Sequence, residues 1–404
     1  MRERPALLIY CQHALGMGHL VRSLVLARAL AERFRVVFLN GGPVPRGVAR
    51  PRGVKFVDLP PLGFDADGRL VSRDRRRSPA RALDVRRQII LQTFRELRPQ
   101  VVVIELFPFG RKKFAEELLP LFDAAHALGA ARPLLVCSLR DILATGRKDQ
   151  ADHDARACTL ANRYLDAVMV HADPRFVRLE ESFRPPEPLR VPVHYTGFVM
   201  SPPGPAPAAL ERIVVSAGGG RVGGPLYRAA LEAQRIVWRS EQLPMMLVAG
   251  PFLAPDEWRG LTRARKRPGL VLRRSVGNLE NELRGAAVSV SQCGYNTALE
   301  LVRSRVPALV VPFRERVEVE QWARARRLEQ LGIVRVLDPE RLDGATLVDE
   351  IRKVRQQRPA VVALDLDGAM GTANLLLEMV EARGRRRAGT TLASDPMGGH
   401  GNVA

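Results

Sequence analysis

Ser291–Gln321, with the sequence SQCGYNTALELVRSRVPALVVPFRERVEVEQ, contains the densest set of structural signals in this chain. The apolar run Ala287–Val290 just before it predicts a buried strand, and the Gln-Cys-Gly-Tyr-Asn-Thr turn then opens a helix that contains Glu300. A second apolar run, Ala308–Val311, predicts the next strand. Strand, turn, helix and strand in this order predict one unit of a parallel sheet that carries helices on its faces.

The polar side chains of this segment suit a nucleotide sugar. Asn296 and Thr297 stand at the start of the predicted helix, where side chains and free backbone amides can bind phosphate. Glu300 follows one turn later, where it can accept hydrogen bonds from both hydroxyls of a ribose, and Glu320 and Gln321 offer groups for sugar hydroxyls. Taken singly, Asn296 is an ordinary N-cap and Glu300 an ordinary helix charge. Together on one unit they favour nucleotide-sugar binding.

The same alternation of strands and helices extends along most of the chain. Short apolar runs alternate with stretches of helical period, which predicts α/β architecture with parallel sheets covered by helices. The other apolar runs that predict strands are Ala6–Cys11, Val36–Leu39, Lys55–Leu59, Val101–Ile104, Leu134–Ser138, Ala167–Val170, Ile213–Ser216, Met245–Ala249 and Leu270–Arg273.

The alternation is interrupted once, at Phe198–Leu210, which reads FVMSPPGPAPAAL. Proline fixes φ and removes a donor, so this stretch fits neither a helix interior nor a central strand, and it predicts a linker. From Gly384 onward the sequence has no apolar period, which predicts a disordered tail. The expected division is therefore a Rossmann-like domain at 1–197, a linker at 198–211, a second Rossmann-like domain at 212–383 and a tail at 384–404.

A glycine loop, His13–His19, follows the first predicted strand and leads into a helix. Gly16 and Gly18 would let the backbone approach a ligand, and the start of a helix attracts anions. His19 stands at that helix start, where a pKa near neutrality suits a general base. The alternative is a tight turn in which the histidine only caps the helix.

A second glycine loop, Ala217–Gly224, joins a predicted strand to a predicted amphipathic helix. Its sequence is AGGGRVGG, and the amides of Gly218, Gly219 and Gly220 could cradle a diphosphate. No Gly-Lys-Ser/Thr closes the loop, and no clean G-x-G-x-x-G precedes an acid at a strand end, so P-loop and nicotinamide roles are disfavoured. A flexible surface loop is the alternative.

The motifs resemble those of a known enzyme class. Cys-Gly-Tyr-Asn-Thr-x-x-Glu, then Val-Pro-Ala-Leu-Val-Val-Pro and Glu-Gln, resembles the donor-binding segment of GT-B glycosyltransferases. It is similar to the plant-type UDP-sugar signature and to the peptidoglycan N-acetylglucosaminyl transferase family. The N-terminal Gly-Met-Gly-His-Leu-Val-Arg-Ser-Leu-x-Leu-Ala is similar to that family and to the nucleotide-sugar hydrolases of pseudaminic acid synthesis. The resemblance implies two Rossmann-like domains that face each other across a cleft.

Carried over by position, the resemblance implies that His19 is a general base or an acceptor-side residue. It implies a metal-independent reaction without a cofactor. Two positions depart from the family patterns: Gln292 stands where the plant-type signature has a histidine, and Glu320 replaces the first glutamine of a Gln-Gln pair. The resemblance also implies diphosphate contacts at Gly218, Gly219, Gly220, Asn296 and Thr297, a ribose contact at Glu300 and donor-sugar contacts at Glu320 and Gln321.

Composition narrows the class of protein. The chain has 404 residues, of which 46% are hydrophobic, and this excludes global disorder. Four widely spaced cysteines without a C-x-x-C pair argue against a zinc site or a disulfide framework, and no apolar run approaches the about 18 residues of a membrane span. We therefore expect a cytoplasmic protein, with peripheral attachment to the inner face of the membrane as a further option.

The formal net charge of +20 invites a nucleic-acid interpretation. Only six of the 63 basic residues are lysine, however, and such an arginine excess is typical of coding in GC-rich genomes. The basic side chains cluster at Arg69–Arg98, without interleaved aromatic residues, which disfavours single-stranded nucleic acid. This stretch predicts either a docking patch for an anionic acceptor or an anionic membrane, or else a solvated loop.

Two D-x-D matches, Asp65-Ala66-Asp67 and Asp365-Leu366-Asp367, lie away from the donor motif. Because the pattern is short, we expect solvated loop acids there and no metal site. The leading hypothesis is a hexosyltransferase that uses a nucleotide-sugar donor, a UDP-sugar, and an acceptor that the sequence does not identify. The alternatives are a nucleotide-sugar hydrolase in which His19 activates water, and a polyanion-binding protein without activity.

Overall fold

The computed structural model describes residues 4–13, 17–45, 48–65, 67–204, 210–314 and 319–393. In these ranges the chain forms two parallel sheets and one short antiparallel hairpin. The first sheet has the order β3-β2-β1-β6-β7-β8-β9 and the hairpin is β4-β5. Their bounds are β1 Ala6–Cys11, β2 Arg35–Asn40, β3 Val54–Asp58, β4 Leu62–Phe64, β5 Leu70–Ser72, β6 Val101–Glu105, β7 Leu134–Arg140, β8 Ala167–His171 and β9 Val193–Tyr195.

The second sheet has the order β12-β11-β10-β13-β14-β15, with β10 Ile213–Ser216, β11 Met245–Val248, β12 Leu270–Arg273, β13 Val288–Ser291, β14 Ala308–Val310 and β15 Arg335–Val336. Helices cover both sheets. The helices are α1 Met17–Leu30, α2 Pro79–Leu97, α3 Ala115–His126, α4 Gln150–Tyr164, α5 Gly224–Glu241, α6 Pro255–Thr262, α7 Leu279–Arg284, α8 Tyr295–Ser304, α9 Glu320–Gln330, α10 Gly344–Arg355 and α11 Gly368–Ala393.

The central strands form where the sequence has unbroken apolar runs. Every residue of β1, ALLIYC, is buried, because helices cover both faces of the sheet. The predicted α/β class with parallel sheets in both halves is confirmed, and each predicted apolar run forms a strand. The hairpin β4-β5 and the edge strands β9 and β15 have two or three residues each and escaped prediction.

Most of the arginine-rich stretch Arg69–Arg98 is ordered secondary structure, so the alternative of a solvated loop fits only the exposed turn at 73–77, and a docking patch stays a prediction. It comprises β5, a turn and the amphipathic helix α2. Ser78 caps α2 by accepting a hydrogen bond from the Arg81 amide, and Pro79 occupies the first turn. The apolar stripe of α2 faces the core, and the only wholly buried arginine of the stretch, Arg86, lies on the same face.

Arg86 is held by charge and hydrogen bonds inside the first domain. Its Nε and Nη2 donate to the two carboxylate oxygens of Glu117, both at 2.7 Å. The guanidinium also donates to Gln12 and to the carbonyls of Gly41 and Pro60. A buried charge is tolerated only with such pairing, so Arg86 is a core residue and not part of a docking patch.

The C-terminal helix returns to the first domain, which corrects two expectations. α11 packs against α1, and its Ala369, Ala373 and Leu376 are buried with Leu20 and Leu24. Residues 368–383 therefore pack with the first domain and not with the second. The expected disordered tail is helical from 384 to 393, because α11 runs to Ala393; residues 394–404 lie outside the described ranges.

The two crossings between the domains lie side by side. Val199 pairs with Asp367 in an antiparallel bridge, and the Phe198 amide donates to the Asp365 carbonyl at 2.8 Å. The predicted linker thus begins inside the core, because Phe198 is only 1% exposed. Asp365 and Asp367 are exposed acids of the return crossing.

All four cysteines are buried free thiols. No helix within the described ranges is both long and apolar enough to cross a membrane.

The buried pair of Arg86 and Glu117 should contribute to the stability of the first domain. Glu117→Gln removes the carboxylate and leaves the Arg86 charge without a counterion, which should lower the free energy of unfolding by about 3–5 kcal/mol. Urea denaturation at neutral pH measures the change. As the matched control, Glu211→Gln breaks the exposed pair with Arg355 and should leave the stability nearly unchanged. Equal effects of the two substitutions would contradict the assignment.

Candidate active site

The candidate site lies at the carboxyl ends of the first sheet's central strands. His19 follows β1, while Glu105, Arg140 and His171 are the last residues of β6, β7 and β8. The order β1-β6-β7-β8 makes these strands neighbours. Parallel strands present their carboxyl ends at one edge, where open α/β sheets bind ligands.

His19 is oriented by a buried carboxylate. Its Nδ1 lies 2.6 Å from Glu105 Oε1, and the side chain of Glu105 is 2% exposed while that of His19 is 18% exposed. Arg22 Nη2 donates to the same oxygen at 2.7 Å. Because an ionised carboxylate only accepts, Nδ1 carries the proton in this pair. Nε2 of His19 is then the basic nitrogen.

Electrostatics keep this pair in the state that a base requires. Burial lowers the pKa of His19 well below its ordinary value, outweighing the opposite effect of Glu105, and Arg111 and Arg140 act in the same direction as burial. Contacts with His19, Arg111 and Arg22 hold the pKa of Glu105 below its usual range despite burial. Near neutral pH the pair therefore consists of a neutral imidazole and a carboxylate.

The first glycine loop is only partly described. Gly16 lies outside the described residues, whereas Gly18 is in the first turn of α1, where a Cβ would meet no atom of the described residues within 4 Å. Among those residues, packing does not require glycine at 18.

The second glycine loop is shaped by its own backbone. Gly218 and Gly220 have φ values of 54° and 86°, in the left-handed region that glycine adopts without strain. A Cβ on Gly220 would lie 2.0 Å from the Ala249 carbonyl oxygen, so only glycine fits there. The Gly220 amide closes a turn on Ala217, while the amides of Gly218 and Gly219 have no hydrogen bond within the described ranges. These two amides can donate hydrogen bonds to a ligand.

The helix α8 begins directly after β13 and presents its first turn at the edge of the second sheet. Asn296 and Thr297 lie in that turn, and Gly294, the N-cap, provides no side-chain cap. The first amides are thus open to an anion. Glu300 follows one turn later, where burial of the carboxyl and the nearby Glu280 raise its pKa to about 8. Glu300 is largely protonated at pH 7.

Gln321 and Glu320 begin α9, and the structure gives both of them protein partners. Gln321 Oε1 accepts from the amides of Cys293 at 3.0 Å and Phe313 at 3.2 Å, which ties two loops of the second sheet together. Glu320 forms an ion pair with Arg140 of the first domain. Gln292, at the position that departs from the plant-type signature, is buried and donates to the Val222 carbonyl.

A buried ion pair joins the two domains beside these residues. Arg324 Nε and Nη2 donate to the two carboxylate oxygens of Asp141 at 2.6 and 2.8 Å, and its Nη1 donates to the Cys293 carbonyl at 2.7 Å. Asp141 follows β7 and Arg324 belongs to α9. The end of the first sheet is therefore bonded to the turn that opens α8.

Tyr295, the first residue of α8, makes a second contact across the domains. Its hydroxyl donates to the His171 carbonyl and accepts from the Val199 amide, both at 2.9 Å. Arg22, the partner of Glu105, lies 5.6 Å above the centroid of its ring. The start of α8 and the His19–Glu105 pair are thus both in contact with Arg22.

The sequence did not predict most of the residues that position His19 and join the two domains. Glu105 has one signal, a lone acid that ends the apolar run VVVIE. No sequence signal indicates the pairing of Asp141 with Arg324, since 183 residues separate them along the chain. Tyr295 belongs to the motif Cys-Gly-Tyr-Asn-Thr, yet its role as an interdomain contact depends on residues of the first domain.

Comparisons with known proteins agree with this geometry. Residues 276–365 match the glycosyltransferase family 28 C-terminal domain. No curated protein matches the sequence significantly. Among solved structures, the calicheamicin glycosyltransferase CalG4 is 19% identical with a TM-score of 0.59, covering 97% of this chain and 98% of that one. The chain has the GT-B fold, and the comparisons support a glycosyltransferase function.

Two further structures show the same fold. MurG of Acinetobacter baumannii is 15% identical with a TM-score of 0.53, covering 93% of this chain and 100% of that one. A UDP-glucosyltransferase from Polygonum tinctorium that glucosylates indoxyl is 17% identical with a TM-score of 0.58, covering 95% and 100%. The predicted arrangement of two Rossmann-like domains is therefore confirmed at the level of fold.

The burial of His19 beside Glu105 predicts the pH range in which its imidazole stays neutral. Because burial lowers the pKa of His19, its imidazole should stay neutral from about pH 8 to about pH 5, whereas in the urea-unfolded chain it should titrate near about 6.5. NMR of histidine-labelled protein measures this, with the signal assigned by its loss in His19→Asn. A midpoint in the folded protein at or above that of the unfolded chain would show that the carboxylate outweighs burial.

Proposed function

We propose that this chain, with a GT-B fold and a family 28 C-terminal domain, transfers a hexosyl unit from a UDP-sugar to a hydroxyl of an acceptor without a metal ion. The observation that carries the proposal is the placement of the His19–Glu105 pair. It lies at the carboxyl edge of the first sheet and is linked through Arg22 and Tyr295 to the free helix start of α8. A base and an anion-binding helix start are the two parts that such a transfer needs.

In the proposed reaction His19 Nε2 takes the proton of the acceptor hydroxyl. The acceptor oxygen then forms a bond to the anomeric carbon of the donor sugar as the bond from that carbon to the β-phosphate oxygen breaks. The proton remains on His19, and the Glu105 carboxylate stabilises the resulting imidazolium. The electron pair of the broken bond leaves with the nucleoside diphosphate.

The groups proposed to stabilise the leaving diphosphate are dipoles of the second domain. The amides of Gly218 and Gly219 and the first turn of α8 at Asn296 and Thr297 can donate to phosphate oxygens without a metal. Glu300 is proposed to bind the ribose. Glu320 and Gln321 are proposed to contact the donor sugar, which for Glu320 requires sharing its carboxylate with Arg140.

Activation of water by His19 is the competing chemistry, since the same base could serve either acceptor. A panel of UDP-sugars incubated with the purified protein and EDTA, without any other acceptor, separates the two. The transferase proposal expects only slow release of free sugar. Rapid, His19-dependent release would establish a hydrolase in its place.

Replacement of the base tests its assignment. His19→Ala should lower turnover by roughly 10²–10⁴-fold, the usual contribution of a general base, while UDP affinity changes little because His19 lies in the other domain. Turnover assays and calorimetric UDP titrations measure the two effects separately. His194→Ala, on the edge strand β9, is the control and should retain both. Normal turnover of the His19 variant would remove the assignment.

The raised pKa of Glu300 predicts how nucleotide affinity depends on pH. Two ribose hydroxyls donate best to an ionised carboxylate, so binding should favour loss of the Glu300 proton. With a pKa of about 8 in the free protein, UDP affinity should rise roughly tenfold between about pH 7 and pH 9. Calorimetry with EDTA present measures the profile. Glu300→Gln should bind more weakly and show a flat profile; an unchanged profile would contradict a ribose role.

A further inference from the structure

Arg111 is a buried cation whose hydrogen-bonding capacity is unused. Its side chain is 10% exposed, and its Nε and Nη2 have no hydrogen-bond partner among the described residues. The nearest carboxylate oxygen, Oε2 of Glu105, lies 3.7 Å from Nε and is itself without a hydrogen bond. A buried guanidinium with two open donors is expected to meet an acceptor in the functional state of a protein.

The charges around Arg111 do not balance. Glu105 is the only carboxylate in contact with it in the described residues, and that carboxylate already accepts from Arg22 and His19. Two guanidinium groups therefore share one carboxylate beside a neutral imidazole. The neighbouring pairs of Arg140 with Glu320 and of Arg324 with Asp141 are each neutral by themselves. One uncompensated positive charge remains at Arg111.

Rotation of Arg111 onto Glu105 would not remove this excess. It could join Nε to Oε2, yet a single carboxylate would still face two cations in a buried setting. The other groups close to Arg111 supply no counterion, because burial lowers the pKa of His13 and raises that of the Cys11 thiol to about 12. Among the described residues the cluster therefore keeps one excess positive charge, which a further anion would neutralise.

The backbone holds Arg111 in this position. Arg111 has a φ of 60° and Leu106, at the other end of the same loop, has a φ of 68°. Both lie in the left-handed region that residues with a Cβ rarely adopt. Strained residues of this kind persist where the surrounding structure fixes them, often next to ligands.

We propose that Arg111 is an anion-binding residue for the acceptor, and that it selects an acceptor with a carboxylate or phosphate close to the reacting hydroxyl. Arg111 and His19 contact opposite oxygens of the Glu105 carboxylate. An acceptor that places its hydroxyl at His19 Nε2 and an acidic group at Arg111 would satisfy both residues around this one carboxylate. The proposal rests on the proposed transferase function, since it assigns His19 as the base.

The donor diphosphate is the other possible source of the anion. Arg111 belongs to the first domain and affects the charge states of His13, His19 and Glu105, whereas the open amides for the diphosphate belong to the second domain. The placement favours the acceptor. Filling the donor site with UDP separates the two sources.

The experiment is a calorimetric titration of the full chain, saturated with UDP and held at constant ionic strength, with inorganic phosphate and separately with acetate. The wild type should bind one of the two anions at least tenfold more tightly than Arg111→Gln does, and the better anion identifies the acidic group. Arg239→Gln, which removes one exposed positive charge on α5, is the matched control and should behave as the wild type.

The outcomes distinguish this inference from the proposed function. Equal anion affinity in the wild type and Arg111→Gln, or loss of all anion binding once UDP is present, overturns the inference. Failure of UDP to bind the wild type overturns the proposed function instead, and the anion titration without UDP then still tests Arg111. If Arg111→Gln does not fold, Arg111→Met replaces it: it keeps an unbranched side chain without the charge, and affinity equal to wild type would overturn the inference.

Discussion

The relation between the two domains depends on the buried pair of Asp141 and Arg324. Each of the three guanidinium nitrogens of Arg324 donates a hydrogen bond, two to the carboxylate and one to the Cys293 carbonyl. Removing one partner of such a pair costs about 3–5 kcal/mol, because the other charge stays buried. Together with the Tyr295 hydroxyl on the His171 carbonyl, it determines which residues of the two sheets face each other.

Glu105 has a comparable role within the first domain. Its one carboxylate orients His19, binds Arg22 and lies beside Arg111. The first contact selects the tautomer that a base requires, and the second connects the pair to the ring of Tyr295. Because the carboxylate is shared, positive charge is left over next to His19. The proposed proton transfer and the proposed recognition of an anionic acceptor therefore depend on the same group.

The errors of the sequence interpretation have a common cause. Arg86 looks like a surface charge in a run of arginines, and residues 384–393 look like a disordered tail. Burial of Arg86 depends on Glu117, which lies on another helix, while residues 384–393 continue a helix whose earlier turns pack against α1. In both cases the stabilising contacts lie outside the stretch itself, so local composition gives the wrong answer.

The sequence alone determined most of the strands, the class of fold and the places of the two glycine loops, because apolar runs and backbone geometry are local properties. It also indicated His19 and the helix start at Asn296, since each follows directly from a strand–turn–helix pattern. Only the tertiary structure decided that Glu105 orients His19, that Glu320 pairs with Arg140 and that Arg111, among the described residues, shares its one carboxylate with Arg22. Charge balance is a property of groups brought together from separate strands and domains, and spacing along the chain does not encode it.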